Sequence, residues 1–267
     1  MKDDEGIKTW TYAFTVMSSV AHPSISRPSL ALLGTEPWRA AMEFVSFKLS
    51  DLKPKSPVRA GDGHSVVIFP GLATDGSGVA PLRDYCESLG YRAFDWGWGY
   101  NTGPKGDLEE WLAALASHTA KLLHRYSKPA TLIGCSLGGI YAREMGKLLA
   151  PKVRQVITIG TPFNAEADHT NVGWLFHLLS GTPAAIAPEL SKRLRTPPPL
   201  PTTSIYSRSD GVVAWETCRH ATRSRWVQDI EVDGSHIGMG WNPAVLQIVA
   251  DRLRQQPANW RPYAHSA

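Results

Sequence analysis

The stretch Ala130 to Met145 constrains the local fold of this chain more tightly than any other. Ala130-Thr131-Leu132-Ile133 is short, apolar and partly β-branched, the composition of a buried strand. Gly139 to Met145 reads as a helix. Between them Gly134-Cys135-Ser136-Leu137-Gly138 matches G-x-S-x-G. With a strand before it and a helix after it, the pattern predicts a sharp turn that holds the Ser136 hydroxyl clear of the backbone. Glycines are needed at both ends because strand and helix crowd the turn, and a Cβ there would clash. The same turn aims the Leu137 N–H, at a helix N-terminus, toward any oxyanion formed beside the serine.

The rest of the chain repeats the alternation. Strand-like runs are His64 to Phe69, Tyr91 to Asp95, Thr131 to Gly134, Val153 to Ile159, Thr203 to Ser207 and Trp226 to Val232. Helical patterns fall between most of them: Pro81 to Leu89, Leu108 to Tyr126 with Asp107 as N-cap, and Gly139 to Leu149. A last helix, Ala244 to Arg254, starts after Asn242-Pro243. Strands alternating with helices predict an α/β fold, a mostly parallel six-stranded sheet with helices on both faces. At 267 residues and 43% hydrophobic content, one domain with a single large core accounts for the chain.

Two regions depart from the alternation. Residues 1–63 contain no strand pattern, and Trp38 to Leu49 has apolar residues at helical spacing. Residues 1–63 are therefore expected to form a helical extension packed on an α/β domain of residues 64–267. Between the fourth and fifth strands, residues 163–201 are too long for a plain connection. This insertion carries Trp174, Leu175, Phe176, Leu178 and Leu179 on a short helical pattern. Loops after parallel strands surround the ligand crevice, so a small helical cap over the site is expected, with core packing as the alternative.

A serine hydroxyl is a poor nucleophile without a base, and the base needs an orienting acid. Both have candidates downstream of Ser136. Asp210, in Arg208-Ser209-Asp210-Gly211, follows the fifth strand, where catalytic groups collect in an open α/β sheet. His236, in Gly234-Ser235-His236-Ile237-Gly238, follows the sixth. Glu166 and Asp168 are rival acids just past the fourth strand, and Asp233 is too near His236 in the chain to reach its far nitrogen easily. A second oxyanion donor must come from the loop after the first strand, and Pro70-Gly71-Leu72 fits, with the Leu72 N–H pairing that of Leu137. Cys135 as nucleophile would put the flanking glycines out of register, so it reads as a small side chain beneath the turn. Trp96 and Trp98, after the second strand, either line an acyl or alcohol pocket or pack the sheet end. Trp174 and Phe176 are the substrate contacts expected from the cap.

Other functions find little support. The net charge is only +4, without a dense basic block or an aromatic–basic ladder, so no nucleic-acid partner is expected. Cys86, Cys135 and Cys218 match no zinc spacing and suggest a reducing compartment, with a Cys86–Cys218 bridge left open. No metal or organic cofactor is implied. The acidic start, Met1-Lys2-Asp3-Asp4-Glu5, is wrong for a secretory leader, and no run spans a bilayer. A soluble, cytoplasmic chain is expected, with transient contact to a lipid surface left open.

Together these motifs resemble the α/β-hydrolase superfamily, bacterial lipases, esterases and lipase-like inositol deacylases above all. The likeness is carried by Val66 to Leu72, Ile133 to Arg143, Thr158 to Phe163, Ser209 to Val213 and Gly234 to His236. It implies a minimal version of that fold, with Ser136 as nucleophile, His236 as base, Asp210 as acid, and Leu72 and Leu137 as oxyanion donors. The implied activity is hydrolysis of a hydrophobic or amphipathic carboxylic ester. Acyl transfer, thioester or amide hydrolysis, or a non-catalytic binding module on the same fold are the alternatives. The family often has His-Gly at the oxyanion loop and a histidine before the serine; here Pro70 and Cys135 stand there.

Overall fold

The computed structural model describes residues 28–50, 52, 61–164, 188–221 and 224–264. Six strands form one parallel sheet: β1 (Ser65–Phe69), β2 (Arg92–Asp95), β3 (Ala130–Cys135), β4 (Val153–Ile159), β5 (Thr202–Tyr206) and β6 (Val227–Glu231). Their order across the sheet is β2-β1-β3-β4-β5-β6. Among the described residues, six α-helices accompany them: α1 (Leu30–Leu49), α2 (Ala80–Ser88), α3 (Leu108–Leu123), α4 (Leu137–Leu148), α5 (Pro188–Arg195) and α6 (Pro243–Arg254). Parallel strands need crossovers, and helices supply them on both faces.

Alternate residues of each central strand feed two cores. Val67, Phe69 and Leu132 point to one face and pack with α3, α4 and the Leu194 side chain of α5. Val66, Ile68 and Ile133 point to the other and pack with α2, α6 and Phe47 of α1. Burial on both faces explains why β1 and β3 are mostly apolar without clear alternation. The helix starts follow from their caps. Asp107 accepts from the Glu109 and Glu110 N–H groups, and Asn242 accepts from Ala244.

α1 begins eight residues ahead of Trp38, the first residue of the sequence pattern (38 − 30). Ser29 caps it, its hydroxyl accepting from the Leu32 N–H at 3.2 Å. Pro37 lies inside the helix, where proline removes a hydrogen bond and ordinarily costs about 3 kcal/mol. That is why the sequence pattern starts after it. Tertiary contacts by Glu36 and Arg39, described below, hold the turn around Pro37 together.

Within the inserted segment, Trp174 and Phe176 lie outside the described residues, as do Glu166 and Asp168. Its described helix, α5, is tied to α4: Arg193 Nε lies 2.6 Å from Glu144 and Lys147 Nζ donates to the Arg193 carbonyl at 2.6 Å. Cys86, Cys135 and Cys218 are free thiols, so the Cys86–Cys218 pairing does not form. Among the described residues, no helix is long and apolar enough to cross a membrane.

Candidate active site

Ser136 sits between β3 and α4 with φ 50° and ψ −124°, a left-handed conformation rare for a residue with a side chain. Such strain persists only where the surroundings over-determine it. Here the Ser136 N–H donates to the Ile159 carbonyl at 2.8 Å, and its own carbonyl accepts from Gly139 at 2.9 Å. A Cβ on Gly134 would collide with the Gly138 carbonyl, and one on Gly138 with the carbonyls of Phe69 and Pro70. The glycines of the motif are therefore positions of close backbone approach.

The parallel sheet delivers three side chains from three strand ends to one point. His236 Nε2 lies 3.0 Å from Ser136 Oγ, and His236 Nδ1 lies 2.6 Å from Asp210 Oδ2. A carboxylate only accepts, so Nδ1 carries the proton, leaving Nε2 free to accept from the serine hydroxyl. The second Asp210 oxygen accepts from the Val212 and Val213 N–H groups, both at 2.8 Å, which fixes the carboxylate against rotation. Burial alone would lower the affinity of His236 for its proton. The adjacent Asp210 carboxylate, with a smaller contribution from Glu36, outweighs it and raises the His236 pKa above the ordinary value. Asp233 is engaged elsewhere, accepting from the Ser209 hydroxyl at 2.6 Å.

Leu72 lines the same cavity as Ser136 and His236, and Leu137 is the first residue of α4. The loop holding Leu72 is braced by Asn101, a fully buried residue. Its side-chain amide donates to the Pro70 carbonyl at 2.9 Å, and its backbone exchanges hydrogen bonds with Ala73 and Thr74 at 2.8 Å each. Ala73 takes a positive φ of 58° within this brace. Burial pushes the Cys135 thiol up to about 12, so it holds its proton at neutral pH and is no thiolate nucleophile.

The cavity at Ser136 has a volume of about 540 Å³ and is mostly apolar, with Leu72, Val79, Ile159, Val212, Ile237 and Trp241 among its walls. Gly78, Ile237 and Trp241 also line a second apolar groove of about 720 Å³ between α1 and α2. The Trp241 indole N–H donates to the Ala40 carbonyl at 3.0 Å, and its ring meets Phe44 edge-on at 5.8 Å.

Trp96 and Trp98 are not among the described residues that line this cavity. Trp96 is buried, stacks parallel on Tyr141 at 5.9 Å and donates its indole N–H to the Gly99 carbonyl at 2.9 Å. Trp98 stacks on Trp111 and His118, each at 5.5 Å. Trp96 packs beside α4, while Trp98 rests on α3 and stays exposed. Sequence reasoning missed Glu36, Asn101 and Trp241. Asn101 had a signal, a polar residue closing a glycine-rich loop after β2. Glu36 had none, since the Pro37 that follows it masks its helix.

No protein-family model matches the chain. No curated protein matches it. Solved structures do. A pyrethroid hydrolase from Sphingobium faniae JZ-2 is similar over 74% of this chain and 99% of its own, at 16% identity and TM-score 0.50. A structure described with metagenome-derived lipolytic enzymes and an α/β superfamily hydrolase from Oenococcus oeni PSU-1 each match 73% of this chain and 94% of their own. Their TM-scores are both 0.55, at 13% and 12% identity. The chain has the α/β-hydrolase fold.

Proposed function

We propose that this protein is a serine hydrolase of hydrophobic carboxylic esters. The observation that carries the reading is the hydrogen-bonded chain Ser136–His236–Asp210, standing on a strained backbone at the wall of an apolar cavity. In this reading Ser136 Oγ attacks the ester carbonyl as His236 Nε2 takes its proton. Asp210 keeps the imidazole in the required tautomer and stabilises the imidazolium. The Leu72 and Leu137 N–H groups receive the tetrahedral oxyanion, each such donor contributing about 2.7–4 kcal/mol. His236 then protonates the leaving alkoxide. In the second half it activates the water that frees the acid and restores Ser136.

The walls of the cavity support a greasy acyl or alcohol group, and the neighbouring apolar groove between α1 and α2, which shares Gly78, Ile237 and Trp241 with it, supports a long one. A p-nitrophenyl ester series of increasing acyl length tests this, with Ser136→Ala in parallel. The expected result is turnover that rises with chain length and is abolished by Ser136→Ala. Absence of turnover on every ester, or full activity in the variant, overturns the reading.

A further inference from the structure

Three polar side chains of α1, Glu36, Arg39 and Glu43, are spaced three and four residues apart and share one helix face. That face is turned to the loops after β5 and β6. Arg39 donates to the Ser209 carbonyl at 2.6 Å and to its hydroxyl at 2.9 Å. Glu43 accepts from the Ser235 N–H at 2.7 Å. Glu36 sits between them and is 1% exposed. One of its oxygens accepts from the N–H of Gly211 at 2.7 Å and of His236 at 3.0 Å. The other accepts from Ile237 at 3.2 Å. Gly211 allows this approach, since a Cβ there would lie 2.6 Å from the Leu32 carbonyl oxygen.

One carboxylate thus joins the backbone next to the candidate acid to the backbone of the candidate base. The two loops belong to different strands, and Asp210 and His236 are 26 residues apart in the chain. The loops also meet directly, the Ser209 hydroxyl donating to Asp233 at 2.6 Å and the Ser207 hydroxyl accepting from the Gly234 N–H at 3.2 Å, and Glu36 adds a bridge at Gly211, beside Asp210, and at His236 itself. The 2.6 Å contact between His236 Nδ1 and Asp210 requires them to keep register. A displacement of about 1 Å in such a pair costs on the order of a hundredfold in rate.

We infer that Glu36, supplied by a helix outside the α/β alternation, is a positioning residue that sets the spacing of Asp210 and His236 and holds a second negative charge behind the imidazole. It touches no reacting atom and acts through the loops. The inference rests on the ester-hydrolase reading of the site. Among the described residues, the charged groups around His236 are Asp210 at Nδ1, Glu36 at the backbone and Glu43 at the neighbouring Ser235 N–H, with Arg39 Nη1 3.7 Å from Glu36. Ser136 approaches from the elbow, and the protonated Cys135 thiol lines the same cavity. Glu36 is the smaller of the two charges that raise the His236 pKa.

The test compares Glu36→Gln and Glu36→Asp with Glu144→Gln. The last breaks a buried ion pair on α4 with Lys147 and Arg193 and matches for lost stability. Glu36→Gln is expected to lower kcat about tenfold or more with KM nearly unchanged, and to move the acid limb of kcat/KM to lower pH. Glu36→Asp keeps the charge on a shorter arm, so kcat falls while the limb stays near the wild type. NMR titration of the His236 imidazole in wild type and Glu36→Gln reads the same effect without turnover. It therefore decides the matter even if no ester is hydrolysed and the ester reading fails. An unchanged His236 titration, or a kcat loss no larger than that of Glu144→Gln at equal loss of stability, overturns the inference.

Discussion

An aspartate, a histidine and a hydroxyl meet at both ends of the sheet. At the carboxyl end they are Asp210, His236 and Ser136. At the amino end, His64 Nδ1 lies 2.5 Å from Asp62 and Nε2 lies 2.8 Å from Thr131 Oγ1. The distances are nearly the same, and the surroundings differ in every respect that matters to catalysis. Thr131 lies within β3, fully buried, and its hydroxyl also accepts from the Gln155 side chain at 3.1 Å. Ser136 stands on a strained turn and lines an apolar cavity. A smaller cavity beside His64 is lined by Asp62, Arg92 and Lys128, and Thr131 is not among the described residues that line it. The proton affinities of the two histidines also move in opposite directions. Burial, reinforced by the Arg154 guanidinium, outweighs Asp62 and lowers the His64 pKa, while Asp210 and Glu36 raise that of His236. The comparison teaches that the same Asp-His-hydroxyl geometry suits the proposed chemistry only where strain, access and the sign of charge around the imidazole favour it. At the amino end the same chain is a buried polar latch between β1, β3 and the Asp62–Arg154 ion pair, whose N···O separation is 2.9 Å.

The largest separation is expected from removing each histidine. His236→Ala should lower kcat by about 10⁴-fold or more with little change in Tm, since members of a triad act as a unit. His64→Ala should leave kcat of the folded enzyme intact. It should lower stability by about 1–3 kcal/mol, because Asp62 and Thr131 lose a buried partner. Denaturant melts and single-turnover kinetics on both variants read the two effects. If the two variants lose activity equally, the distinction drawn between the ends fails.

The acids come next. Asp210→Asn should cost about 10⁴-fold in kcat by forcing the wrong tautomer, while Asp62→Asn should spare kcat. The hydrogen bonds of Asp62 to His64, with Arg154, outweigh its burial and depress its pKa. Its contribution to stability is therefore present at neutral pH and is lost as pH falls through the depressed pKa. Tm of Asp62→Asn should fall short of wild type at pH 7 and converge on it under strong acid. A constant Tm difference across that range removes Asp62 from the latch.

The smallest effect is in the pH profile of the wild-type enzyme. Only the free base of His236 can take the serine proton, so kcat/KM should rise with pH through a limb placed above the ordinary histidine value of 6.5. A limb below that value points to a different base.

The fold was legible in the sequence to within a few residues per strand. Val66-Val67-Ile68 and Leu132-Ile133 are buried on both faces and cannot be read as surface. The elbow was legible because its constraints lie within five residues: two glycines at points of backbone collision, and a serine between them. The order of Ser136, Asp210 and His236 also survives in one dimension, since each follows its own strand. The tryptophans were not legible in the same way. Trp96, Trp98 and Trp241 are alike in composition, and only packing sends the first two against Tyr141 and Trp111 and the third to the cavity.

The sequence by itself determined the turn at Ser136, the alternation that makes a parallel sheet, and the candidates for base and acid. All of these depend on short-range sterics and on period, which are written along the chain. Only the tertiary structure decided that α1 lies across the loops of the candidate site, that Glu36 bridges Gly211 and His236, and that Trp241 lines two apolar cavities. Those contacts link residues separated by 175 and 200 positions. No local propensity encodes a buried carboxylate meeting three N–H groups from two loops. It exists because packing α1 on the turn Gly238–Gly240 and on α6 brings Glu36 to that place, where its charge must find donors.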